Sequence, residues 1–123
     1  MSDQGKTQLT IVFTAPPDLV AEGDKIFASH AKWMRSTHSR EGKTALLHYN
    51  VVKGPELSNP LDPSSTPTGN TSFLLTEVYE TPAGVANHWK STATWEDFAV
   101  ALAWMSKVKV TTVHGAPVVH SLW

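Results

Sequence analysis

The chain of 123 residues contains no cysteine. This excludes a disulfide scaffold, and it excludes a thiolate as metal ligand or nucleophile. The chain also lacks an excess of basic charge, because ten lysines and arginines are balanced by eleven aspartates and glutamates, giving a formal net charge of −1. Without a basic stripe to neutralise a phosphate backbone, nucleic acid is not an expected partner.

Long apolar runs are also missing. No segment approaches the roughly 20 apolar residues that cross a bilayer, so no membrane partner is expected. The first residues, MSDQGKTQ, lack the charged-then-apolar layout of a signal peptide, and we expect a cytoplasmic protein. A hydrophobic content of 41% and a charged content of 17% are typical of one globular domain, here residues 1–123.

Tryptophan is abundant for a chain of this length. Large aromatic side chains are favoured in cores, in subunit interfaces and in the walls of sites that stack a ligand. Core packing plus an oligomer contact is the simpler interpretation, and a ligand wall is the alternative. The five tryptophans are Trp33, Trp89, Trp95, Trp104 and Trp123.

Hydrophobic periodicity predicts four strands and two helical regions. The predicted elements are a strand over 8–14, a helix over about 19–35, strands over 44–53 and 71–78, a helix beginning at Thr81-Pro82, a second helical piece after a break near 91–94, and a strand over 107–114. This order favours an antiparallel four-stranded sheet with both helical regions on one face, the ferredoxin-like α+β arrangement.

Two segments fall outside these elements. Residues 54–70 carry four prolines and are predicted to form a proline-rich loop, either a surface excursion or a lid. Residues 117–123 form an apolar C-terminal tail that ends on Trp123, and we expect this tail to dock on a second subunit.

The predicted sheet is apolar on both faces. Leu9, Ile11 and Phe13 alternate with Val12 along the first strand, and the helices can cover only one side. An uncovered apolar face needs a partner, so the sequence predicts a homodimer formed through the sheet face.

Two stretches resemble a known family. Arg40-Glu41-Gly42 leads into ALLHYNV at 45–51, and EVYET at 77–81 leads into a helix that carries His88. These segments resemble the antibiotic biosynthesis monooxygenase (ABM) family, whose members form dimeric α+β barrels. The resemblance covers most of the chain apart from residues 54–70.

Differences within the family narrow what the resemblance implies. Haem-degrading relatives carry a tryptophan where this chain has His88, and polyketide-oxidising relatives carry a tryptophan where it has Tyr79. The quinol-oxidising relatives are most similar, through Glu77, Tyr79 and His88. The resemblance therefore implies a monooxygenase that oxidises a small aromatic or quinol-type substrate with O₂ and needs no cofactor.

The same resemblance suggests roles for individual residues. His88 is the candidate base, because an imidazole accepts a proton near neutral pH. Tyr79 is expected to hydrogen-bond a developing oxyanion, and Glu77 is expected to orient His88. The substrate-binding candidates are aromatic or polar residues of neighbouring elements: Phe13, His48, Asn50, Trp89 and Trp95. His48 and Asn50 share one strand face and qualify only if that face lines a cavity.

Each of these residues also has a purely structural interpretation. His88 fits a core histidine, while Glu77 and Tyr79 fit groups in a dimer interface. A non-redox isomerase, or a binding protein for small aromatic metabolites, is the alternative function on the same fold. No metal site is expected, because the sequence contains no His-x-His or His-x₃-His pair.

Overall fold

Alternating apolar residues and a Thr-Pro helix start produce the elements seen in the computed structural model, which describes residues 2–123. The strands are β1 (Thr7–Ala15), β2 (Leu46–Leu57), β3 (Pro67–Tyr79) and β4 (Lys109–Pro117). The α-helices are α1 (Val20–Thr37), α2 (Pro82–Ser91) and α3 (Phe98–Met105). Short 3₁₀ turns at Pro17–Leu19 and Thr92–Thr94 precede α1 and separate α2 from α3.

The four strands form one antiparallel sheet in the order β2-β3-β1-β4. Glu77 of β3 lies opposite Leu9 of β1 on one side and opposite Tyr49 of β2 on the other. This register places the carboxyl group of Glu77 in the middle of the sheet. The α+β class expected from the sequence is confirmed.

The core lies between the helices and one face of the sheet. Phe13 and Phe73 point from β1 and β3 toward Phe27 of α1 and Trp104 of α3, and their ring centroids lie 5.1–5.9 Å apart. Burying each such ring contributes roughly 1.5–3 kcal/mol to folding. Because all four rings pack into one cluster, the helices are fixed on the same face of the sheet.

The prediction of a structureless loop over 54–70 is wrong at both ends of that segment. Strands β2 and β3 continue into it, with Pro55 opposite Thr71 and Leu57 opposite Pro67, which leaves only residues 58–66 as a connection. Proline is tolerated in β2 because this strand lies at the sheet edge, where a missing N–H does not interrupt a ladder on both sides.

Strand β2 also departs from simple alternation. The register with β3 shifts between Leu46 and His48, so a bulge at Leu47 turns Leu46 toward the helices. Beyond the bulge, Tyr49 faces the helices, whereas His48 and Asn50 project from the opposite, exposed face of the sheet.

The C-terminal tail runs beside the N-terminal segment. Val118 donates its backbone N–H to Lys6, and Gly5 donates its backbone N–H to Val118. Beyond this pairing, Leu122 and Trp123 are 77% and 91% exposed in the single chain. Docking of the tail on a second subunit stays a prediction.

None of the helices within residues 2–123 is both long enough and apolar enough to cross a membrane.

Candidate functional site

An apolar cavity of about 220 Å³ lies between the helices and the inner face of the sheet. It exceeds the roughly 150 Å³ of a protein cavity known to hold benzene, so it has room for an aromatic ring. Its walls are aliphatic and aromatic side chains, interrupted by two threonines and three histidines. The histidines are His30, His88 and His114. The cavity forms within one chain.

His88 is held against this cavity by α2. The helix begins where the hydroxyl of Thr81 accepts a hydrogen bond from the backbone N–H of Ala83, with Pro82 at the first helical position. His88 follows almost two turns later and is 2% exposed. Its Nδ1 lies 2.9 Å from Nε2 of His38, at the end of α1. No hydrogen bond to Nε2 of His88 forms within residues 2–123, and His88 is part of the cavity wall.

Glu77 is fully buried beside this histidine. Its Oε1 accepts a hydrogen bond from the Tyr79 hydroxyl at 2.5 Å and lies 3.7 Å from Nδ1 of His88. Its Oε2 has no hydrogen-bond partner among residues 2–123. Burial raises the pKa of Glu77 to about 7, and the Tyr79 hydrogen bond opposes this rise.

His30 approaches the same carboxylate from α1. Its Nε2 lies 4.0 Å from Oε2 of Glu77, and its Nδ1 lies 2.7 Å from the hydroxyl of Tyr49. Burial lowers the pKa of His30 to about 4, and the nearby His38 lowers it further in the same direction.

The pKa of His88 is lowered to about 3, mainly by burial and further by the neighbouring His30 and His38. Because both pKa values lie well below 7, His30 and His88 are neutral at pH 7. A neutral imidazole keeps one nitrogen lone pair, which can accept a proton or bind a metal ion.

Aromatic side chains support the site from two sides. Trp33 and Trp95 stack with centroids 5.7 Å apart, and Trp95 donates its indole N–H to Ser29 at 2.9 Å. On another wall, Trp89 stacks on His114 and donates its indole N–H to Nε2 of that ring at 2.8 Å. These hydrogen bonds fix the planes of two cavity-lining tryptophans.

Four of the residues predicted from the sequence line this cavity. They are Phe13, His88, Trp89 and Trp95. Glu77 contacts His88, but at 3.7 Å it is not a hydrogen-bond partner, and His38 is the group that orients the ring.

The remaining three candidates lie elsewhere. Tyr79 does not line the cavity, because its buried hydroxyl donates to Glu77 and is not presented to a substrate. His48 and Asn50 project from the far face of the sheet, where Nε2 of His48 lies 3.4 Å from a carboxylate oxygen of Asp3. The expectation that these two residues could line the pocket is corrected by the strand register, which turns them away from the helices.

Sequence reasoning missed three histidines of the site. For His30, the signal that could have identified it is its position on the inward stripe of α1. His38 lies 50 residues from His88, and His114 lies 25 residues from Trp89. No spacing rule connects pairs that only the folded chain brings together.

Comparisons with known proteins give little further information. No protein-family model matches the chain, and no curated protein matches it. A crystal structure of a candidate amidohydrolase/peptidase from Burkholderia cenocepacia is similar over 94% of this chain, with 11% sequence identity and a TM-score of 0.41. The matched region spans 29% of that protein's chain, and similarity at this level supports no conclusion about function.

Proposed function

We propose that the protein is a cofactor-independent monooxygenase that oxidises a small aromatic hydroxyl compound of the quinol type, with His88 as the base. The observation that carries this proposal is the hydrogen bond between His38 and Nδ1 of His88, which leaves Nε2 available at an apolar, aromatic cavity. The chain would have an ABM-like, ferredoxin-like fold, and two copies would pair into a dimeric α+β barrel in the cytoplasm.

The chemistry begins with a proton transfer. If His38 accepts the Nδ1–H of His88, the lone pair of Nε2 takes the proton of a substrate hydroxyl. The resulting anion is electron-rich and passes one electron to O₂. The substrate radical and superoxide then combine at a ring carbon that bears a hydrogen atom, and protonation gives a hydroperoxide. Loss of the C–H proton with cleavage of the O–O bond then releases water. One oxygen atom stays in the product as a carbonyl, and the other leaves as water.

Burial lowers the pKa of His88 to about 3, so the transfer needs a counter-charge for the imidazolium and a substrate hydroxyl that gives up its proton readily. Protonation creates an imidazolium whose Nδ1 lies 3.7 Å from Oε1 of Glu77, and an ionised carboxylate at that distance stabilises the cation. The apolar wall excludes water, so the substrate anion meets O₂ without competing protonation by solvent.

Oxygen consumption tests the proposal directly. A panel of hydroquinones and flavonoid-like phenols would be supplied under air to metal-free protein and followed with an oxygen electrode. We expect turnover by the native chain and a loss of roughly 10²–10⁴-fold in His88→Ala, the usual contribution of a positioned base. His120→Ala is the matched control, because this exposed histidine lies outside the cavity lining, and it should keep full activity.

Other outcomes favour other functions. Unchanged oxygen uptake in His88→Ala would remove the base assignment. Tight binding of the phenols, seen as quenching of tryptophan fluorescence, without oxygen uptake would indicate a binding protein. Rearrangement of a small carbonyl compound without oxygen uptake would indicate an isomerase.

A further inference from the structure

We infer that His30, Glu77 and His88 form a binding site for one divalent first-row transition-metal ion. One ligand atom from each residue lies within 4.8 Å of the others, and all three side chains are buried. They come from α1, β3 and α2, so the tertiary fold assembles the set. Two imidazoles and a carboxylate without a thiolate suit ions such as Zn²⁺, Co²⁺ or Fe²⁺.

The unpartnered oxygen of Glu77 is an independent reason for this inference. Oε2 belongs to a side chain with 0% exposure and has no hydrogen-bond partner among residues 2–123. Buried polar atoms are nearly always satisfied, because an unpaired one loses its hydrogen bonds to water and gains none in return. The group that faces Oε2 is Nε2 of His30, at 4.0 Å. A cation between these atoms would satisfy both.

Supporting contacts orient two of the three ligands. Tyr49 lies 2.7 Å from Nδ1 of His30, and accepting the N–H there leaves the lone pair on Nε2, toward Glu77. The Tyr79 hydroxyl holds the other oxygen of the carboxylate. Ligating histidines and carboxylates in metalloproteins are typically fixed by such outer hydrogen bonds.

The spacing of the donors requires only a small adjustment. Adjacent ligands of a tetrahedral ion with bonds of about 2.1 Å stand roughly 3.4 Å apart. Nδ1 of His88 lies 3.7 Å from Oε1 of Glu77, and Nε2 of His30 lies 4.0 Å from Oε2, so these two contacts would shorten by roughly 0.3 and 0.6 Å. Because His30 and His88 also line the cavity, an ion held here leaves a coordination position facing that space.

Metal binding would compete with the proposed base. Nδ1 of His88, the atom nearest Glu77, is also the atom that contacts His38. An ion on Nδ1 moves the remaining N–H of the ring to Nε2, which then donates toward the cavity and cannot accept a proton. The metal-loaded chain should therefore lose oxygen uptake that the metal-free chain shows.

Metal titration of the chelator-treated protein tests the site without any substrate. We expect one Co²⁺ per chain, detected by visible d–d absorption, and one Zn²⁺ by calorimetry, with a rise in melting temperature. Glu77→Gln and His30→Ala should each weaken binding by at least 10-fold and abolish the thermal shift. His48→Ala is the matched control, because it removes a histidine that faces a carboxylate at the surface, and it should bind as the native chain does.

Circular dichroism before titration verifies that each variant is folded. Glu77→Gln is nearly isosteric with the native residue, so this variant still tests the site if His30→Ala unfolds. Absence of a stoichiometric ion in the native chain, or equal affinity in folded Glu77→Gln, would overturn the inference. Loss of the ion in His48→Ala instead would place it at the surface. Oxygen uptake by metal-free protein is measured separately, so failure of the metal site and failure of the proposed oxygenase are distinguishable.

Discussion

Glu77 dominates the electrostatics of the site. The carboxyl group is fully buried between two neutral imidazoles and has one strong hydrogen-bond donor, Tyr79. Its pKa rises from 4.5 to about 7 in the folded chain. The folded state therefore binds this proton more tightly than the unfolded state does.

This difference predicts a pH-dependent effect of Glu77→Gln on stability. Protonated Glu77 favours folding fully below pH 4.5, and this contribution is lost as the pH rises through about 7. Glutamine does not ionise, so the variant should match the native chain near pH 4.5 and exceed its free energy of unfolding by on the order of 3 kcal/mol at pH 8. Urea denaturation with chelator present, at both pH values, measures the difference.

The control for this prediction is Glu96→Gln, which replaces an exposed carboxyl and should leave the free energy of unfolding close to that of the native chain. His30 and His88 destabilise the fold only as the pH falls below 6.5, because their pKa values are lowered. They are present in both proteins, so the comparison removes most of their effect. A stability difference that stays constant between pH 4.5 and 8 would contradict the assignment of the titration to Glu77.

At the scale of elements, α2 approaches the end of β3 unusually closely. A Cβ atom added to Gly84 would lie 2.8 Å from Cβ of Tyr79, nearer than such atoms are found in real structures. The missing side chain lets the helix rest on the tyrosine ring. That tyrosine holds Glu77, so the packing of α2 sets the position of the carboxylate and of His88 together.

We therefore expect Gly84→Ala to destabilise the chain by on the order of 2 kcal/mol, because the added methyl group overpacks against a nearly rigid atom. Gly54→Ala is the matched control: Gly54 lies in β2 with nothing within 4 Å of an added Cβ, and the substitution should leave stability unchanged or raise it slightly. Urea denaturation compares the three proteins. Equal urea-denaturation midpoints for Gly84→Ala and Gly54→Ala would contradict the close contact between α2 and Tyr79.

The elements were largely predictable, because alternation marks β1 and the inner residues of β3, and Thr81-Pro82 marks the start of α2. The bulge at Leu47 was not predictable, since it depends on the pairing between β2 and β3 and not on the local sequence pattern. The prolines after Gly54 indicated a loop, although an edge strand tolerates them.

The site was predictable only in part. His88 and Glu77 stood out because a histidine on an inward helical stripe and a carboxylate in an apolar strand are unusual. Their partners His30 and His38 are set by tertiary packing, which a single sequence does not reveal.

At the scale of the molecule, the sheet face opposite the helices remains open in the single chain. Val52 and Val113 lie on this face, on the two edge strands, and are 59% and 60% exposed. Between them, Val12 and Leu74 add apolar surface on the central strands. Large open apolar areas of this kind mark interaction sites, and the proposed dimer would cover this area with the same face of a second copy.

The proposed dimer can be tested separately from the site. Sedimentation velocity should give twice the 13.4 kDa chain mass for the native protein and one chain mass for Val52→Glu, because a charge would be buried in the shared face. Val100→Glu is the control: Val100 is 50% exposed on α3, on the helix side, and this variant should stay dimeric. If the native protein is monomeric at high concentration, the proposed dimeric barrel is excluded. The cavity would not be excluded, since one chain forms its walls, so monomeric Val52→Glu should still bind a phenol or a metal ion.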